Sequence, residues 1–79
     1  MTNLEKYTDA FVTTFEISED EAKGLEYQGV EAWDSVGHME LVATIEEAFD
    51  IEFEADDIID FSSFDKGIEI LKDNYKIDF

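Results

Sequence analysis

A serine just inside a helix start, with an acid before it, is the position in this chain best suited to hold a charged group. Ser35 follows Asp34, a residue type that caps helices by accepting a backbone N–H. Its hydroxyl would lie in the first turn, where unbonded N–H groups and the positive end of the helix dipole favour an anion. Two readings stand on these residues alone: a capping pair with no further role, or a hydroxyl placed to carry a phosphodiester. Catalysis by Ser35 with His38, the single histidine, would also need an orienting group and an oxyanion hole. The sequence supplies neither, so no catalytic residue is assigned. The chain has no cysteine, so any thiol chemistry must arrive on a cofactor. Asp56, Asp57 and Asp60 lack the calcium-loop spacing and its central glycine, so they are assigned no metal and only diffuse, weak cation binding is expected.

The elements that must position Ser35 are helical. Leu4, Tyr7, Phe11 and Phe15 share one helix face, and Thr2 with Glu5 has capping-box spacing, which predicts a first helix over Asn3 to Phe15. From Glu16 to Asp34 the periodicity fades and glycines appear at 24 and 29, which predicts a long loop with room for one short helical turn. After Asp34 the apolar positions Leu41, Val42, Ile45 and Phe49 predict a second main helix reaching Asp50, with His38 on the same stripe in a packing or hydrogen-bonding role. A short helical piece over Ala55 to Ile59 follows. Ser62 and Asp65 then suggest a capping box for a last helix whose apolar stripe is Phe64, Gly67, Ile68, Leu71 and Tyr75. Ile51 and Phe53 alternate, but no second strand pattern exists to pair with them, so 50–53 is read as a loop with Ile51 or Phe53 plugging the core. The expected architecture is all-α: one domain over residues 1–79, with three main helices, a short fourth and a long first loop.

With 79 residues the chain has room for one small core and no deep enclosed active site. The hydrophobic fraction of 44% with seven Phe, three Tyr and one Trp is too rich for a disordered acidic tail. A net charge of −17 opposes binding to nucleic acid or anionic membranes and points to basic partners or cations. No stretch approaches the roughly 18 apolar residues of a membrane span, and no basic-then-apolar leader opens the chain, so a monomeric cytoplasmic protein is expected.

The run from Trp33 to Phe49, WDSVGHMELVATIEEAF, resembles the phosphopantetheine attachment signature of acyl carrier proteins. In that family Asp-Ser plus an aliphatic residue opens the second helix. The resemblance continues through Glu40-Leu41-Val42, the acidic end Glu46-Glu47-Ala48-Phe49, and Phe61-Ser62-Ser63-Phe64 ahead of the last helix, and covers about Leu4 to Tyr75. It is specific in the middle and loose in the first helix and the long loop. It implies that a phosphopantetheinyl transferase attaches phosphopantetheine from coenzyme A to Ser35, with Asp34 taking part in recognition. Gly37 stands where many members have an acid, and Ala43 where a larger apolar residue is frequent, departures that bear on partner choice. Trp33 and Gly37-His38 resemble stand-alone carriers of specialised pathways more than the housekeeping fatty-acid carrier.

Val36, Glu40, Ala43 and Glu47 form a stripe beside the core-facing one. With the resemblance, Val36, Met39, Glu40, Ala43, Glu46 and Glu47 become the expected docking residues for acyl-loading and acyl-processing enzymes with basic surfaces. Without it they are a solvated helix face. Met39, Ile58 and Phe61 either border a channel for an acyl chain or pack the core, and Trp33 either covers the end of the bundle or touches the arm. The implied function is a non-catalytic carrier of acyl thioesters in fatty-acid, polyketide or related biosynthesis. The alternatives are an aminoacyl or D-alanyl carrier and an acidic helical adaptor without a prosthetic group.

Overall fold

A computed structural model describes residues 2–79. Five helices follow one another among the described residues: α1 (Asn3–Phe15), α2 (Glu19–Ala22), α3 (Ser35–Phe49), α4 (Ala55–Asp60) and α5 (Phe64–Tyr75). The protein is therefore all-α, with three main helices and two short ones.

Local chemistry sets the helix starts. At α1 the Thr2 hydroxyl accepts from the Glu5 N–H, while the Thr2 N–H donates to the Glu5 carboxylate at 2.9 Å. Those Thr2 hydrogen bonds, the backbone one foremost, lower the pKa of Glu5 below its ordinary value. Ser18 and Glu21 repeat the device at α2. For α5 the cap is Ser63, which accepts from the Lys66 N–H at 3.0 Å, and not Ser62 as its spacing from Asp65 suggests. Long-range pairing causes that displacement. The Ser62 carbonyl accepts from Tyr27 N–H at 2.9 Å and the Leu25 carbonyl from Phe64 N–H at 2.8 Å, so this strand-like bridge pairs Glu26 with Ser63, and Ser63 is extended as an N-cap must be.

The same bridge sews the long loop onto the bundle. A turn returns Gly29 N–H to the Glu26 carbonyl, and Gln28 N–H reaches the Trp33 carbonyl, folding 26–33 back on itself just before α3. Trp33, at the end of this turn, is 0% exposed and packs into the core. It meets Phe11 edge-on at 5.4 Å and stacks on Phe15 at 5.5 Å.

The core is aromatic around Tyr7, Phe11, Phe15, Trp33, Phe53, Phe61 and Phe64, completed by Leu41, Val42, Ile45, Ile70 and Leu71. Phe53 does plug it from the α3–α4 loop. Leu4 does not join it: in the first turn of α1 it is 42% exposed. Ile70 is buried on α5, while Ile68 and Tyr75 are only half-buried. The described C-terminal tail folds back, with the Asn3 side chain donating to the Asp78 carbonyl and Phe79 set 5.6 Å from Tyr7.

Candidate functional site

Asp34 caps α3 in extended conformation, its carboxylate accepting from Gly37 N–H at 2.8 Å, and Ser35 is the first helical residue. Ser35 is exposed. Its hydroxyl thus stands at the positive end of a 15-residue helix, where a first-turn phosphodiester is favoured. By contrast, the hydroxyls of Ser18 and Ser63 are consumed as caps.

Beside Ser35 lies a half-open, mostly apolar cleft of about 400 Å³ lined by Tyr27, Ser35, His38, Met39, Ile58, Ile59, Phe61 and Ser62. The three residues singled out as pocket candidates, Met39, Ile58 and Phe61, line this one cleft together with Ser35. They come from different places: Met39 from α3, Ile58 from α4 and Phe61 from the residue that ends α4. Phe61 is 1% exposed and forms the floor, whereas Met39 at 52% forms a rim. Tyr27 and Ile59 also line it and were not singled out in the sequence. Ile59 carried a readable signal, since two adjacent isoleucines on a short acidic helix cannot both face inward. Tyr27 carried none, because its place depends on the pairing of the loop with Ser62.

His38 is held at both ring nitrogens. Trp33 Nε1–H donates to Nδ1 at 2.9 Å, so Nε2 carries the proton and donates to the Ile58 carbonyl at 2.8 Å. With both nitrogens engaged by Trp33 and Ile58, the imidazole is in no position to act as a base on Ser35.

Val36, at 67% exposure, Met39, Glu40, Ala43 and Glu47 all face solvent along α3. An apolar and acidic strip with no basic side chain of its own therefore flanks Ser35. Glu46 departs from this group. It is half-buried and its carboxylate accepts from Phe53 N–H at 2.8 Å, so it pins the following loop instead of facing outward. Gly37 departs as well. It is buried, and a β-carbon there would run into the Ala32 carbonyl oxygen and meet Phe15 Cε1 at 3.3 Å. The acid that many acyl carrier proteins place here has no room, so the glycine answers to packing and removes no charge from the exposed face. Of the acids weighed for metal, Asp57 accepts from the Tyr75 hydroxyl and the Asn74 amide and so ties α4 to α5.

No protein-family model matches the chain. A comparison with curated proteins likewise gives no match. No helix among the described residues is long and apolar enough to cross a membrane.

Proposed function

We propose that the protein is an acyl carrier, a non-catalytic shuttle whose cargo rides on a phosphopantetheine arm attached to Ser35. The observation that carries this reading is the exposed, uncommitted Ser35 hydroxyl at the N-terminus of α3, opening onto an apolar cleft. In the loading reaction the serine oxygen forms a new bond to the phosphorus that bears the pantetheine. The pyrophosphate bond of coenzyme A breaks, the adenosine bisphosphate half leaves, and the serine proton passes to a base of the transferase. Once attached, the group supplies the thiol that this cysteine-free chain lacks. The chain itself presents the hydroxyl, favours the phosphodiester through the helix dipole, and offers Val36, Met39, Glu40, Ala43 and Glu47 to basic enzyme surfaces.

Two substitutions and a mass measurement test this. With coenzyme A, magnesium and a broad-specificity phosphopantetheinyl transferase, the wild type should gain the mass of one arm. Ser35→Ala should gain none, and Ser62→Ala, which removes the other serine hydroxyl lining the cleft, should load normally. An unchanged wild-type mass with several active transferases would favour an acidic adaptor without a prosthetic group. An aminoacyl or D-alanyl cargo would instead show as loading by an adenylating enzyme after arm attachment.

A further inference from the structure

The cleft beside Ser35 ends on a floor that the fold locks in place. Phe61 presses against α5 at Gly67, where a β-carbon would lie 2.7 Å from Phe61 Cζ and would also collide with the Tyr7 hydroxyl. At interior packing density the ring has nowhere to sink unless α5 moves. The inner end of the cleft is shut by His38, whose ring ties α3 to the α4 backbone through the Ile58 carbonyl. Behind it stands Trp33, wholly buried, bonded to the same ring and nearly coplanar with it at 15°. Phe61 abuts the imidazole edge-on at 5.6 Å and completes the closure. An apolar chain threading from the cleft into the core would strand the Trp33 N–H and the Ile58 carbonyl without partners, and it could satisfy neither.

We infer that this protein selects short acyl groups, which rest in the open cleft on Met39, Ile58 and Phe61, because His38 and Phe61 close the path into the core to longer chains. The inference rests on the carrier reading above and names the cargo class of the same site. It makes His38 a specificity-determining residue without any contact to the reacting thioester. The cleft is half open, so a chain resting in it keeps one side in water, and only passage into the core would bury it fully.

The test attaches butyryl, octanoyl and palmitoyl arms to Ser35 from the corresponding acyl-coenzyme A with a permissive transferase. Each loaded protein is then compared with the unacylated loaded form by thermal melting and amide NMR. Every buried methylene would stabilise the fold, so a chain that enters the core must raise the melting temperature with length. The expected wild-type result is no further rise beyond the butyryl form, with shifts at Met39, Ile58 and Ile59 and none at Leu41, Ile45 or Leu71. In His38→Ala the length dependence should appear and the core amides should shift. A rise that continues from butyryl through palmitoyl in the wild type overturns the inference by itself, whether or not the variant folds, and so does a folded variant that still shows no such dependence. Failure of every transferase to load the wild type overturns the carrier reading and this inference with it. Loading without the expected pattern overturns this inference alone.

Discussion

A methyl group at position 37 would occupy the space of the Ala32 carbonyl oxygen, and that single contact makes Gly37 a structural requirement of the turn that delivers Asp34 and Ser35. Gly37→Ala should therefore destabilise the protein by about 1–3 kcal/mol, as overpacking does, despite the better helix propensity of alanine. Chemical denaturation measures this, and a stabilised variant would contradict the packing. Tyr7 gives a second residue-scale expectation. Its hydroxyl donates to the Phe64 carbonyl at 2.7 Å, and burial, then the charge of Asp65, raises its pKa far above the ordinary value. Its contribution is complete below about pH 10, the ordinary tyrosine pKa, and is lost as the pH climbs beyond that, because only the unfolded chain releases the proton. Tyr75 is raised also, by desolvation and then by its hydrogen bond to Asp57, and adds a smaller loss in the same range. Tyr7→Phe should cost about 1 kcal/mol at neutral pH and flatten the alkaline fall in stability, which melting curves across the alkaline range would reveal. The sequence announces neither residue's partner. Tyr7 is legible as a core aromatic from its spacing, but the carbonyl it meets is 57 residues away.

Elements are legible where their determinants are local. The bounds of α1 follow from its capping box and apolar period, and the cap of α3 follows from Asp34, so the placement of Ser35 needs no long-range information. The start of α5 does need it, since the local spacing to Asp65 favours Ser62 and the long-range pairing with Tyr27 and Leu25 accompanies the cap at Ser63 instead. The cleft is legible in part for the same reason. Met39 follows from its closeness to Ser35 on the same helix, whereas Tyr27 arrives through the loop, and Glu46 is withdrawn from the surface by a hydrogen bond to the Phe53 N–H that no local pattern announces. One feature of the elements runs against local preference: α1, α3 and α5 end on Glu16, Asp50 and Lys76, all left-handed, with φ of 55°, 54° and 59°. A side chain is strained there, and an acid also faces the negative end of the helix dipole. Glu16→Gly relieves both effects and should stabilise the protein by roughly 0.5–1 kcal/mol. A lower denaturation midpoint would show that Glu16 makes a compensating contact.

At the scale of the whole molecule, charge acts on stability and on encounter in opposite directions. The chain carries 22 acids and five basic residues, and the one ion pair among the described residues, Lys66 with Glu69 at 3.7 Å, is exposed and adds little. Screening should relieve the repulsion, so the melting temperature should rise with sodium chloride and with magnesium at neutral pH. On the proposed carrier reading the same field would draw a basic transferase toward Ser35, so the loading rate should fall over the same salt range. Glu40 and Glu47 separate the two effects. Both are exposed on α3 and neither side chain caps a helix or fills the core, so replacing both with lysine should change stability by no more than about 0.5 kcal/mol per site, with the lost repulsion acting to stabilise. Loading of the folded variant should nevertheless slow, mostly through weaker encounter, and its rate should depend less steeply on salt than that of the wild type. Circular dichroism establishes that the variant is folded before the rates are compared. Loading at the wild-type rate with an unchanged salt slope would mean that the acids of α3 serve only to solvate the helix, and that recognition lies in Val36, Met39 and the residues at the mouth of the cleft.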